Sequence, residues 1–165
     1  DLRNPSIVKT LSTREKPLTP KNSLVDYLKG FVKVMDVIQP TDVAGLSVIP
    51  GGNGGKAEST ALLSDKRMAL LMQAARNMYD VVILDTPPCS LLADASELAE
   101  LAEKIGCNPE ECLMVGNDAT EDMIAETLGM KVFLLTDSLI NRTGEDISRY
   151  PHGSFPELLT FIRGL

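Results

Sequence analysis

The sequence predicts an α/β fold, a three-layer, Rossmann-like parallel sheet, on three observations. Tyr79–Pro88 reads YDVVILDTPP, in which the apolar run Val81–Leu84 ends at Asp85 and two prolines follow. An unbroken apolar run of this length suits a strand buried on both faces, and a proline pair stops it. Two further runs, ECLMV at 111–115 and KVFLL at 131–135, read as strands, with helical spacing before and between them. From Leu46 onward the pattern is β-α-β-α-β-α-β-loop-α, an alternation that implies parallel strands with helices on the sheet faces.

The 165 residues are enough for one domain with a real core or two very small ones. We read one composite domain over 1–165. Hydrophobic residues make up 44% and charged residues 24%, a globular profile. The net charge of −7 disfavours nucleic acid and anionic membrane as partners. No apolar run approaches the roughly 20 residues that cross a bilayer. The chain begins at Asp1 rather than Met, shows no signal peptide, and reads as cut from something longer or assembled. Cys89, Cys107 and Cys112 are odd in number and lack a CxxC spacing, which suggests reduced thiols and a cytoplasmic location rather than a zinc site. The sole histidine, His152, falls in a Tyr-Pro-His-Gly turn and reads as a surface residue.

In chain order, residues 1–22 are rich in Pro, Lys, Thr and Ser and are expected to be loop. Ser23 is placed to cap a short helix, Leu24–Lys29, closed by Gly30. A short apolar piece, Phe31–Ile38, stops before Pro40. Leu46–Ile49 is expected as a strand, and the glycine-rich stretch 51–55 as a loop. A helix is expected over Ser59–Met78, with Met68, Leu71, Ala75 and Met78 at helical spacing. The Asp85 strand follows, then a helix over Ala93–Ile105 with Leu98, Ala99 and Ala102 on one face. The strand at 111–115 runs into Gly116-Asn117-Asp118. Asp118 or Thr120 can cap a helix that reaches Leu128, with Gly129 as its stop. The strand Lys131–Leu135, a polar loop over 137–154 and a closing helix Phe155–Ile162 complete the chain. Val82, Ile83, Leu84, Leu113, Val115, Val132 and Leu134 are the expected core.

Asp85 carries the first chemical reading. A carboxylate at the carboxyl edge of a parallel sheet lies where α/β proteins bind ligands, and it can equally cap the next turn. DLRNPS at 1–6, SLVDYL at 23–28, GLSVIPGG at 45–52, DTPP at 85–88 and Asp94-Ala95 follow one another in an order that resembles the bacterial protein-tyrosine kinases of capsule and exopolysaccharide synthesis, deviant-Walker ATPases related to the Min and Par proteins. The resemblance covers residues 1–100. It implies that Asp85 is the Walker B aspartate that helps hold Mg²⁺. It implies that Asp1 and Arg3 belong to the nucleotide-phosphate side, although Arg3 also reads as a solvated loop arginine. ATP, a small phosphate or nucleotide ligand, and a membrane-protein activator are the implied partners. The family's GxxxxGK[ST] loop is not supplied by 51–56, because Pro50 and Ala57 stand where Gly and a hydroxyl residue are needed.

From Leu101 the text changes. Asn108-Pro109-Glu110-Glu111, Val115-Gly116-Asn117-Asp118 with Asp122, Gly129-Met130 and Leu134-Leu135-Thr136-Asp137 resemble the C-terminal part of haloacid-dehalogenase-type hydrolases, to the end of the chain. The resemblance implies Mg²⁺ held by Asp118 and Asp122. On spacing alone the two carboxylates can converge on one cation or cap a helix start. The superfamily's DxDx[TV] pair is not matched, since Pro87 follows Asp85 by two, and Lys104 is a poor candidate for its lysine. The join falls near 97–104, and the chain reads as a chimera. The function this suggests is a catalytically incomplete, kinase-derived domain that binds Mg²⁺ and nucleotide phosphate. A Mg²⁺-dependent phosphohydrolase with Asp85 as nucleophile, or a non-catalytic α/β scaffold, is the alternative.

Overall fold

The computed structural model describes residues 7–12, 17–52, 66–85 and 95–165. The chain divides into two compact units, Asp1–Thr86 and Pro87–Leu165.

In the first unit a short helix, α1 (Ile7–Leu11), replaces part of the loop expected over 1–22. Ile7 and Leu11 stand four apart, are both half-buried, and give this single turn its apolar side. Helix α2 (Leu24–Leu28) starts as expected at Ser23. The Ser23 hydroxyl accepts from Asp26 N, and Asp26 Oδ2 accepts from Ser23 N at 2.8 Å and Ser23 Oγ at 2.6 Å. This reciprocal cap satisfies donors that the first helical turn leaves open. It also holds the Asp26 carboxyl below its ordinary range, first through the Ser23 hydroxyl and then through the Ser23 backbone N–H.

Helix α3 (Lys66–Met78) buries Met68, Leu71, Met72 and Ala75, one stripe at helical spacing. It packs against α2, which buries Val25, Tyr27 and Leu28, and Tyr27 Oη donates to the Arg67 carbonyl at 3.1 Å. Met78, expected on the stripe, is 46% exposed in the last turn. Of Phe31–Ile38 only Val34–Asp36 is regular, as one 3₁₀ turn.

Strand β1 (Gln39–Pro40) pairs antiparallel with β2 (Ser47–Val48). The expected parallel pattern therefore fails at its first strand. Six residues link the pair, and a parallel crossover takes about a dozen or more.

A larger correction concerns 81–84. The segment after α3 has no regular structure, and Val81, Ile83 and Leu84 are 57%, 83% and 38% exposed. Apolar composition makes a good strand only where a neighbour supplies the ladder, and no described segment pairs with this one.

In the second unit, α4 (Ala95–Lys104) precedes a 3₁₀ turn, Pro109–Glu111, and β3 (Leu113–Gly116). The turn takes up Glu111, so β3 begins two residues later than expected. β4 (Lys131–Leu135) is where the sequence puts it. β5 (His152–Gly153) lies in the stretch expected as loop. The three form a parallel sheet in the order β3-β4-β5, with Leu113 opposite Lys131 and Leu134 opposite His152. Both connections are long enough for parallel crossovers.

The core gathers Leu98 and Ala102 of α4, Ala119, Met123, Ala125, Met130, Val132 and Leu134 of β4, and Tyr150. Phe133, buried between Val132 and Leu134 on β4, meets the ring of Phe161 at 5.3 Å. Phe161 belongs to the closing helix α5 (Phe155–Arg163), so β4 is covered on both faces. Val132 and Leu134 are buried as expected, whereas Leu113 is half-buried and Val115 is 38% exposed. β3 has a neighbour on one side in this sheet, which leaves it less covered than β4.

The helix expected after Asp118 is a 3₁₀ stretch, Met123–Leu128, ended by Gly129 at φ 85°. That left-handed conformation is open to glycine without a Cβ penalty. None of the described helices is long and apolar enough to cross a membrane. The described elements form a mixed α/β fold.

Candidate functional site

Among the described residues, the densest polar arrangement near the carboxyl end of a strand is the loop Asn117–Asp122. β3 stops at Gly116, and the chain then doubles back on the Asp122 carboxylate. Asp122 Oδ2 accepts from the backbone N–H of Asn117 and of Asp118, both at 2.9 Å. Asp118 Oδ1 accepts from the backbone N–H of Thr120 and of Glu121, also at 2.9 Å. Gly116 makes this possible, because a Cβ at that position would overlap the Asp122 carboxyl group.

A second loop is fastened to the first. Asp118 and Ile140 form a parallel bridge, with Ile140 N donating to Asn117 O at 2.8 Å and Ala119 N donating to Ile140 O at 2.9 Å. Asn117 Nδ2 donates to Ser138 O at 2.6 Å. Arg142 then reaches back, with Nη1 at 3.4 Å from both Asp118 Oδ2 and Glu121 Oε1. Asp118 is buried at 7% exposure, and these donors replace the water its carboxylate gives up. Arg142 and Glu121 were not expected at the site. Arg142 lies 24 residues beyond Asp118 in a polar loop, where no sequence period points to it.

The fit of this loop to magnesium follows from the same contacts. Carboxylate oxygens are the right donors for a hard cation. Here four of those oxygens, one of Asp122, two of Asp118 and one of Glu121, already serve protein donors, and Arg142 supplies the positive charge. Among the described residues no group of three or more His, Cys, Asp or Glu is placed to hold a metal. The arrangement as it stands does not fit a magnesium ion unless Arg142 moves away.

The other expected site residues are dispersed. Asp85 is exposed at the end of the irregular segment and belongs to the first unit, while Asp118 and Asp122 belong to the second. Asp1 and Arg3 lie outside the described residues, as do the glycine-rich positions 53–55, the prolines 87 and 88, and Cys89. Cys107 and Cys112 are half-buried. Lys104 pairs with Glu100 at 3.0 Å, one helical turn away. His152 is exposed, with Nδ1 2.8 Å from the Tyr150 carbonyl oxygen. An open groove of about 480 Å³ beside α5 is lined by Phe133, His152, Glu157 and Phe161 among others, and by none of Asp85, Asp118 and Asp122.

No protein-family model matches the chain. It is similar to the tyrosine-protein kinase CpsD of Streptococcus agalactiae, 35% identical over 80 residues, which is 48% of this chain and 34% of that protein. It is 37% identical over 76 residues to the tyrosine-protein kinase etk of Escherichia coli K12, 46% of this chain and 10% of that protein. With CpsD of Streptococcus pneumoniae serotype 4 it shares 27% over 100 residues, 61% of this chain and 42% of that protein. The similarity thus spans about a third of the length of the S. agalactiae kinase.

Proposed function

We propose that the chain is a kinase-like protein of bacterial polysaccharide synthesis that binds Mg²⁺ and nucleotide phosphate and is catalytically incomplete. The observation that carries the reading is the 35% identity over 80 residues to a tyrosine-protein kinase. On this reading Asp85 is the acidic residue toward the cation, Asp1 and Arg3 lie toward the phosphates, and a membrane protein of the same pathway is the activator. Bound Mg²⁺ would offset phosphate charge, and Asp85 would orient it from a protein carboxylate. Phosphoryl transfer also needs a backbone cradle and a lysine around the phosphates, and the sequence has no recognisable counterpart of either. Turnover by these 165 residues alone is therefore expected to be small.

The test is equilibrium binding of ATP with and without millimolar Mg²⁺, alongside phosphate release and tyrosine phosphorylation, for the parent chain and Asp85→Asn. The reading expects Mg²⁺-dependent binding that Asp85→Asn weakens, with turnover far below the ~10 s⁻¹ of a working enzyme. Absence of nucleotide binding, or robust ATP-dependent tyrosine phosphorylation, overturns it.

A second reading draws on the acidic loop after β3. On this reading residues 101–165 are of dehalogenase-type hydrolase origin and the chain is a chimera, with Mg²⁺ reaching Asp118 and Asp122 only once Arg142 is displaced. Release of phosphate from an aryl phosphate, lost in Asp118→Asn, favours this reading. Thermal stability indifferent to ATP, aryl phosphate and Mg²⁺ favours a scaffold without ligand chemistry.

A further inference from the structure

We draw no further inference here: the strongest candidate, the exposed apolar segment Val81–Leu84 that follows the long helix of the first unit, is an unpartnered face, and nothing in the structure shows what covers it.

Discussion

Arg142 Nη1 lies 3.4 Å from Asp118 Oδ2 and equally far from Glu121 Oε1, so one guanidinium spans two carboxylates of the loop after β3. The arginine side chain is 69% exposed and the Asp118 side chain 10%. A largely solvated partner contributes little to stability, about 0–1 kcal/mol, but its charge occupies the place a cation would take.

Arg142→Ala should therefore cost no more than about 1 kcal/mol in urea unfolding. It should also increase the response of the melting temperature to millimolar Mg²⁺, because Asp118 Oδ2 and Glu121 are then released. An unchanged response in the variant would show that this loop has no affinity for the ion even without its arginine.

Asp122 has a different role, as acceptor for two backbone amides. Asp122→Ala leaves the N–H groups of Asn117 and Asp118 without their partner and should cost about 1–3 kcal/mol. Gly116→Ala should cost a similar amount by pushing the same carboxylate out of place. The double variant should lose clearly less than the sum, since both changes break one arrangement. Full additivity in denaturant titrations would count against the shared cause.

Core substitutions should separate the two apolar strand candidates. Leu134 has no exposed surface, and Leu134→Ala should cost about 2–5 kcal/mol. Ile83 is 83% exposed, and Ile83→Ala should stay within about 0.5 kcal/mol. Equal losses in parallel urea titrations would mean that 81–84 is packed in solution.

The cap at Ser23 makes an acid-sensitive contribution. Asp26 has its carboxyl held low in the folded chain, so its stabilisation is fully present above the ordinary Asp value of about 3.9. It is lost as pH falls through the lower, folded value. The stability gap between the parent chain and Asp26→Asn should therefore be constant from neutral pH to about 4 and close below that. Ser23→Ala should cost about 1 kcal/mol at neutral pH. A gap that persists unchanged in strong acid would exclude the carboxylate as its source.

How much of this was legible beforehand differs by element. β4 and α3 were readable because their own residues carry the period, with Met68, Leu71 and Ala75 on one helical stripe and Val132 and Leu134 on one strand face. The capped start at Ser23 was readable because capping is local chemistry. Val81–Leu84 misled because burial belongs to neighbours and not to composition. His152–Gly153 pairs through its backbone alone and has no side-chain signature. Six residues, Met123–Leu128, are too few for a period of 3.0 to be told from 3.6. Within the candidate site the sequence pointed to Asp118 and Asp122, but their use as amide acceptors needed the fold of the loop. Arg142 was invisible, since contacts formed only in the fold, the bridge between Asp118 and Ile140 and the hydrogen bond from Asn117 to Ser138, bring its loop alongside.

The register of the parallel sheet carries a consequence for the rate of assembly. Leu113 faces Lys131 and Leu134 faces His152, so both strand pairs join residues 18 positions apart. Loop-closure entropy varies with the logarithm of length, and equal lengths give neither pair a head start. The order of formation then rests on what each connection buries on the way. The first carries Ala119, Met123, Ala125 and Met130 into the core, the second only Tyr150 among the fully buried. The folding nucleus should hold β3, β4 and the 3₁₀ stretch between them, with β5 and α5 joining after the barrier. In stopped-flow measurements Met123→Ala should then mainly slow folding, and Tyr150→Ala should mainly speed unfolding.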